Sequence, residues 1–355
     1  MTLRRMPLKR LLATIAAVLV AGVVLTAIAS AVSGGPTPPA KPLAQAVHDA
    51  MAGPKPTGVT ASVQFTNRLL EGAGIVAGEG GESVTSSPLV AGGHGRLWIS
   101  SSGEVRLELQ SESGDTEIYW KDGTLTVYDV ASHTAYTYTP PAHGGPHPAH
   151  ASKTPPSVAQ IEEAIAKLEK HAEVSGAQPT DVGGRAAYTV RVSPREKGSL
   201  IAGAELSFDA ENAVPLRAAI YSTSSSEPVM ELAAEGIAYE SPEASIFEFK
   251  PPAGTKIEVV KPATRPARPR GAADAPTTAV HGHGITAVGE IQLKSKGGGS
   301  EGSLSRLPSV SIGQAKAREL KTALGTILTF EQDGVRYLLA GAVEPAAVEA
   351  AARER

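Results

Sequence analysis

From residue 105 to 110 every second position is apolar: Val105, Leu107 and Leu109 alternate with Arg106, Glu108 and Gln110. A period of two is the signature of a β-strand with one buried face. The same pattern predicts strands over 61–67, 117–120, 125–130, 135–139, 186–192, 204–209, 216–221, 229–239 and 246–249. Lys121-Asp122-Gly123-Thr124, set between two such runs, predicts a tight hairpin, because Asp-Gly takes the positive φ angles that a two-residue turn requires. A second hairpin is expected near the C-terminus, with strands over 325–330 and 335–340 around Gln332-Asp333-Gly334.

Helical spacing is rarer. Leu43, Val47 and Met51 recur at i, i+4 and i+8, which predicts a short helix with those residues on its apolar face. Ser157-Val158-Ala159-Gln160 has the form of a capping box, in which the two polar side chains satisfy N–H groups at the helix start. Val158, Ile161, Ile165 and Leu168 then fall on one face, with Glu162, Glu163, Lys167 and Lys170 away from it. A last helix is expected over 345–353, where Pro345 suits the first turn. Segments 71–95 and 140–156, rich in Gly, Ser, Pro and His, read as loops, and the Pro- and Arg-rich 261–276 reads as a linker. All aromatic residues but Phe65, Phe330 and Tyr337 lie between Trp98 and Phe249, so the main core is expected there. The order of elements is α+β with a large antiparallel sheet, which can curl and present a concave apolar face for a helix to cover.

Composition adds a destination. Arg4, Arg5, Lys9 and Arg10 precede an uncharged apolar run over 11–29, closed by Ala27-Ile28-Ala29 and Ala29-Ser30-Ala31 and then by a Pro-rich stretch. This is the pattern of an export signal with a small-residue cleavage site. The run is also close to the roughly 20 apolar residues that span a bilayer. Residues 1–31 are therefore expected to be a signal peptide or an N-terminal anchor, and 32–42 a tether. Arg4-Arg5-Met6-Pro7-Leu8-Lys9 resembles a twin-arginine signal, with Pro7 where an aromatic is usual. Cleavage would release a soluble shuttle, and retention would hold the protein at the outer face of the cytoplasmic membrane. The chain has no cysteine, which excludes disulfides and a lipid carried on cysteine. Its formal net charge of −3 gives no reason to expect nucleic acid as a partner.

No catalytic pattern is present: the chain has no H-E-x-x-H, no G-x-S-x-G and no phosphate-binding loop. No cofactor and no enzymatic activity are expected. His143, His147, His150, His281 and His283 have metal-ligand spacing, but with neither cysteine nor interleaved carboxylate they read as solvated loop residues. The adjacent carboxylates Glu162 and Glu163 do not face one another on a helix. Lys256, Lys261, Arg265, Arg268 and Arg270 form a basic tract that reads as a charged linker able to touch anionic headgroups.

Three stretches carry a family resemblance. Ile246-Phe247-Glu248-Phe249-Lys250-Pro251-Pro252-Ala253-Gly254 resembles the F-x-F-x-P-P-x-G strand end of LolA-like lipoprotein carriers and of sigma-factor regulators of the RseB kind. Segment 206–217, with an acidic turn before Pro215-Leu216, and the consecutive strands over 115–138 are similar to theirs. Segment 324–351 resembles the tail of actinobacterial members. The resemblance implies a strongly curved, half-open antiparallel sheet, an incomplete barrel, with helices over its concave face. It places that domain at 43–260, followed by a linker (261–279) and a C-terminal strand, hairpin and helix segment (280–355) packed on the main sheet. It further implies an apolar cavity for the acyl chains of a lipid or lipoprotein, or alternatively a regulator bound to a membrane-anchored anti-sigma factor. The cavity candidates are the alternating residues Val105, Leu107, Leu109, Ile118, Trp120, Leu125, Val127, Leu206, Phe208, Ile220, Phe247 and Phe249. Alternation marks a buried face and leaves open whether that face is packed solid or hollow. LolA proteins of two-membrane bacteria hold their closed state with an arginine, for which Arg96 and Arg106 are the candidates.

Overall fold

Val105–Ser111 is one strand of a 13-stranded sheet. The computed structural model describes residues 35–71, 87–112, 114–140, 154–260, 277–294 and 307–354. The export segment, the His143–His150 cluster and the linker at 261–276 fall outside them. The first strands are β1 (Gly58–Asn67), β2 (Gly93–Ser100), β3 (Val105–Ser111), β4 (Gly114–Lys121), β5 (Thr124–Asp129) and β6 (Thr134–Tyr138). After a helical insertion come β7 (Ala172–Val174), β8 (Gln178–Val182), β9 (Arg185–Pro194), β10 (Ile201–Asp209), β11 (Pro215–Ser222) and β12 (Pro228–Ala238), and then β13 (Lys256–Val259). Their spatial order is β13-β6-β5-β4-β3-β2-β1-β12-β11-β10-β9-β7, with β8 also on β9. All pairings are antiparallel except β13 with β6, and the two ends do not meet, so the sheet is open.

One apolar face runs through it. Val190 on β9 pairs with Leu206, Leu206 with Ala218, Ala218 with Leu232 and Leu232 with Phe65 on β1. Four residues earlier on β1, Ala61 starts a second row: Leu97, Leu107, Ile118, Val127 and Tyr136 across β2 to β6. This face is concave. Ile99 on β2 and Ala204 on β10 line one cleft, although four strand spacings separate them. On a flat sheet that separation would be roughly 19 Å.

Three short helices meet the main sheet or its cover. Helix α1 (Leu43–Ala52) packs on the β9–β10 end, where Ala46 and Ala50 bury against Tyr188, Val190 and Phe208. The apolar stripe Leu43-Val47-Met51 is thus not its buried centre: the alanines allow close approach to the sheet, and Met51 stays 36% exposed. Helix α2 (Pro88–Ala91) lies on β1, β3 and β4 and drives Leu89 and Val90 into the core under the first strands. Helix α3 (Val158–Leu168) has both hydrogen bonds of its capping box and lies mainly on α1, so of its apolar face only Ile161 is buried.

Two readings require correction. Segment 71–95 is not wholly loop, since it contains α2 and the start of β2. The glycines that suggested a loop instead permit strand contact: a Cβ at Gly95 would stand 1.7 Å from Glu108 O, and one at Gly93 2.2 Å from Gln110 O. Segment 246–249 is not a strand. Ala244–Phe247 forms a 3₁₀ turn on the outer face over β3 and β4. Strands β3 and β4 already have partners on both edges, and Pro251 and Pro252 offer no N–H to a ladder.

The C-terminal residues build a second sheet of their own, from β14 (Thr277–His281), β15 (Val288–Lys294), β16 (Ser309–Ile312), β17 (Ala315–Lys321), β18 (Thr326–Gln332) and β19 (Val335–Gly341). The order is β14-β15-β19-β18-β17-β16, and α4 (Pro345–Arg353) seals one face with Val348, Ala351 and Ala352. This sheet is clasped to the main one at two places. In the loop between β9 and β10, Leu200 N donates to Ala342 O at 2.7 Å, and Glu196 accepts from Thr286 Oγ1 at 2.5 Å and from Ile285 N at 3.3 Å. Near the end of β1, Leu69 O accepts from Ala323 N at 3.1 Å. The Thr286 hydroxyl, helped by the Ile285 amide, holds the Glu196 carboxyl below its usual range. The clasp is therefore fully present above the ordinary glutamate pKa and is lost as pH falls through the lower, folded value. Hydrogen exchange should show the Ile285 amide losing protection under acid before the core of either sheet, and losing it at neutral pH in Glu196→Ala. Equal protection in the variant would refute the clasp.

Candidate functional site

The inner face is closed at its two ends and open between them. Under β2–β5 it is packed solid: Val105, Leu107, Leu109, Ile118, Leu125 and Val127 are each at most 4% exposed, covered by Leu70, Leu89 and Val90. Under β9 and β10, Leu206 and Phe208 are covered by α1. Between these plugs β1, β12, β11 and β10 floor an open-mouthed cleft with a volume of about 150 Å³. Its half-buried lining is Ile99, Ala204, Ala218, Ile220, Met230, Leu232, Ala234 and Ile237, over Val63 and Phe65. An apolar space of about this size accepts a benzene-sized group, so it suits a segment of one hydrocarbon chain, with the open mouth leaving room for the rest.

The twelve residues singled out by alternation thus have three addresses. Ile220 lines the cleft. The β3–β5 residues and Leu206 and Phe208 belong to the plugs, with Trp120 half-buried at the margin. Phe247 and Phe249 are on the outer face, where the Phe249 ring lies 5.3 Å from that of Tyr119 and 5.6 Å from that of Tyr128. The other lining residues went unassigned, although the alternation of Met230, Leu232 and Ala234 carried the same signal as that of β3. What distinguishes cleft from plug is the covering element, and that is a tertiary fact.

The charged residues stay away from the cleft's interior. Arg217 and Glu231 border it, yet they face each other as a bidentate pair at 2.7 and 2.6 Å. Arg106 lies on the outer face between the Trp98 and Tyr119 rings, paired with Glu108 and donating to Ile246 O at 3.2 Å. Arg96 shares that face, directly opposite Glu108, so neither arginine points into the concavity. His281 pairs with the buried Glu290 at 2.7 Å. Among the described residues no group of three or more His, Asp or Glu could hold a metal, and no helix is long and apolar enough to cross a membrane.

Three tyrosines anchor the polar regions outside the cleft: Tyr119 donates to Glu117, Tyr221 to Glu205 at 2.7 Å and Tyr239 to Asp209 at 2.5 Å. Burial foremost, and then the carboxylate partner, raises all three phenols, Tyr221 to about 12. A raised pKa stabilises the fold fully below the ordinary value and loses that contribution as pH rises through the folded value. Absorbance at 295 nm should show these tyrosines ionising together with alkaline unfolding. Their titration near the ordinary value of about 10 in the folded protein would contradict the network.

Among the described residues, the titratable groups lining the cleft are Arg217 and Glu231, which bind each other. What the cleft can do is remove hydrocarbon from water, at about 0.8 kcal/mol for each CH₂ buried. No family model and no curated protein match the chain. Among solved structures it is similar to the MucA/MucB complex of Pseudomonas aeruginosa, with 15% identity over 87% of this chain and 94% of that chain and a TM-score of 0.41. It is also similar to a LolA superfamily protein of Nitrosomonas europaea, with 9% identity over 84% of this chain and 88% of that chain and a TM-score of 0.17. A likeness at this level assigns neither a ligand nor a partner.

Proposed function

We propose that this chain is a non-catalytic, extracytoplasmic carrier or sensor that holds an acyl chain of a lipid or lipoprotein on the inner face of its open sheet. One observation carries the reading: the stretch of inner face left open between the two plugs is mostly apolar, and the two charged side chains that border it, Arg217 and Glu231, bind each other. Burying three or four CH₂ groups there contributes about 3 kcal/mol, enough to bias a lipid toward the protein and still permit release. Titration of delipidated protein with a fluorescent fatty acid tests this. Saturable binding displaced by unlabelled fatty acid is the expected result, and no binding at micromolar protein would overturn it.

A second reading, regulation through a membrane-anchored partner protein, is favoured by the edge strand β14. Among the described residues, Thr277-Thr278-Ala279-Val280-His281 ends its sheet with neither Lys nor Pro within it to blunt the edge, and Val280 is 70% exposed. Such an edge accepts an added strand from an extended segment. Loss of partner capture in Ala279→Pro, with fatty-acid binding intact, would support this role, and unchanged capture would remove it.

A further inference from the structure

A larger apolar space lies where the two sheets meet. The crevice between the end of β1 with α2 and strands β17–β19 is open to solvent along one side and has a volume of about 390 Å³, within the range of roughly 300–1,000 Å³ usual for small-molecule sites. Leu69, Leu70 and Val90 form one wall, and Leu320, Ile327 and Ala340 the other. None of these residues lines the inner-face cleft.

The polar side chains of the crevice are already engaged. Asn67 Nδ2 donates to Leu89 O at 2.7 Å while its Oδ1 accepts from Leu69 N at 2.9 Å. Thr322 Oγ1 donates to Gly325 O at 2.8 Å, and Thr326 Oγ1 to Val343 O at 2.8 Å. A polar group entering this space would leave water without gaining a partner, so the buried part of an occupant must be hydrocarbon. The crevice also does not stop at its mouth. Ile327 and Ala340 belong to the face of the C-terminal sheet opposite the α4 side, and the next row on that face holds Leu338 and Ile291, 36% and 39% exposed. At the β17 end of that same row stands Arg318, two residues from Leu320 and roughly 7 Å from it along the strand. Its guanidinium donates to Leu307 O at 3.0 Å and makes no ion pair among the described residues.

We propose that this crevice is a second ligand site, which takes the hydrocarbon tail of a single-chain anionic amphiphile, with the anionic head directed to Arg318. The charge of Arg318 and the saturated polar lining select one occupant: apolar along its length and negative at one end. The site is independent of the inner-face cleft, so the two can be separated by experiment.

Laurate titrated into the delipidated full chain and counted by native mass spectrometry should bind at two equivalents. Ile220→Glu should remove the cleft equivalent, and Ala340→Trp the crevice equivalent. Ala340 is exposed, so its enlargement fills the crevice without displacing a core; Ile327→Lys serves if that variant fails to fold. Arg318→Ala should weaken the crevice equivalent about tenfold for laurate and leave dodecanol unaffected. One equivalent in the wild type, abolished by Ile220→Glu and untouched by Ala340→Trp and Ile327→Lys, would overturn the crevice site and leave the cleft standing. One equivalent abolished by Ala340→Trp would support the crevice and overturn the cleft. Equal losses for laurate and dodecanol in Arg318→Ala would overturn the assignment of the head.

Discussion

Ile220→Glu should weaken fatty-acid binding at the inner-face cleft about 30-fold while leaving the far-UV circular dichroism unchanged. Ile220 is half-buried on the cleft lining and belongs to neither plug, so a carboxylate there reaches solvent at the open mouth and the fold tolerates it. For a bound chain the change removes contact with two or three CH₂ groups, about 2 kcal/mol, which is roughly a factor of 30 in affinity. Ala204→Trp should give the same loss by filling the space from β10 without introducing charge. The pair distinguishes occupancy from electrostatic repulsion of the ligand head. If both variants bind as the wild type does, the chain lies elsewhere.

Phe247→Ala should have the opposite profile, a large loss of stability with ligand affinity per folded molecule unchanged. Phe247 is 1% exposed and comes from the 3₁₀ turn over β3 and β4, on the outer face. Truncating a buried phenylalanine costs about 3–5 kcal/mol, a sizeable share of the roughly 5–15 kcal/mol that holds a typical domain folded. The loss also frees the turn whose Ile246 carbonyl receives Arg106. Urea denaturation should show the midpoint falling, while titration of the folded fraction should give the wild-type affinity. A change in affinity comparable with that of Ile220→Glu would mean that the two faces are coupled or that Phe247 borders the ligand after all.

The residues most legible in the sequence were those whose reason is local. Asp122 and Gly123 both have positive φ, as do Asp333 and Gly334, and each pair turns a hairpin at the expected place. Ser157 and Gln160 exchange the two hydrogen bonds of the capping box. Less legible were elements fixed by their neighbours. Strand β17, Ala-Lys-Ala-Arg-Glu-Leu-Lys, is built from helix-favouring residues and is extended because β16 and β18 flank it. Strand β2 was hidden by the glycines that let its backbone approach β3. The Phe247–Phe249 pattern has the spacing of a strand, but the free edge of β6 is taken by β13, so these rings cover the outside of the sheet.

The site was legible in part, for a related reason. Alternation identifies which residues share a face, and Leu107, Ile118 and Ile220 stand on one side of the sheet. It cannot say where along that surface a covering helix sits. Helix α2 covers one end and α1 the other, and both positions depend on contacts far apart in the chain. The open middle, around Ile220, Met230 and Leu232, emerges only when both plugs are in place.

The most direct measurement is photocrosslinking of a diazirine-bearing fatty acid to the folded protein, with the adducts mapped by peptide mass spectrometry. Adducts on β2, β11 and β12 at Ile99, Ile220, Met230 and Leu232, lost on competition with unlabelled fatty acid, are the expected result. Adducts confined to the outer face around Phe249, or none that unlabelled fatty acid displaces, would contradict an acyl chain held on the inner face.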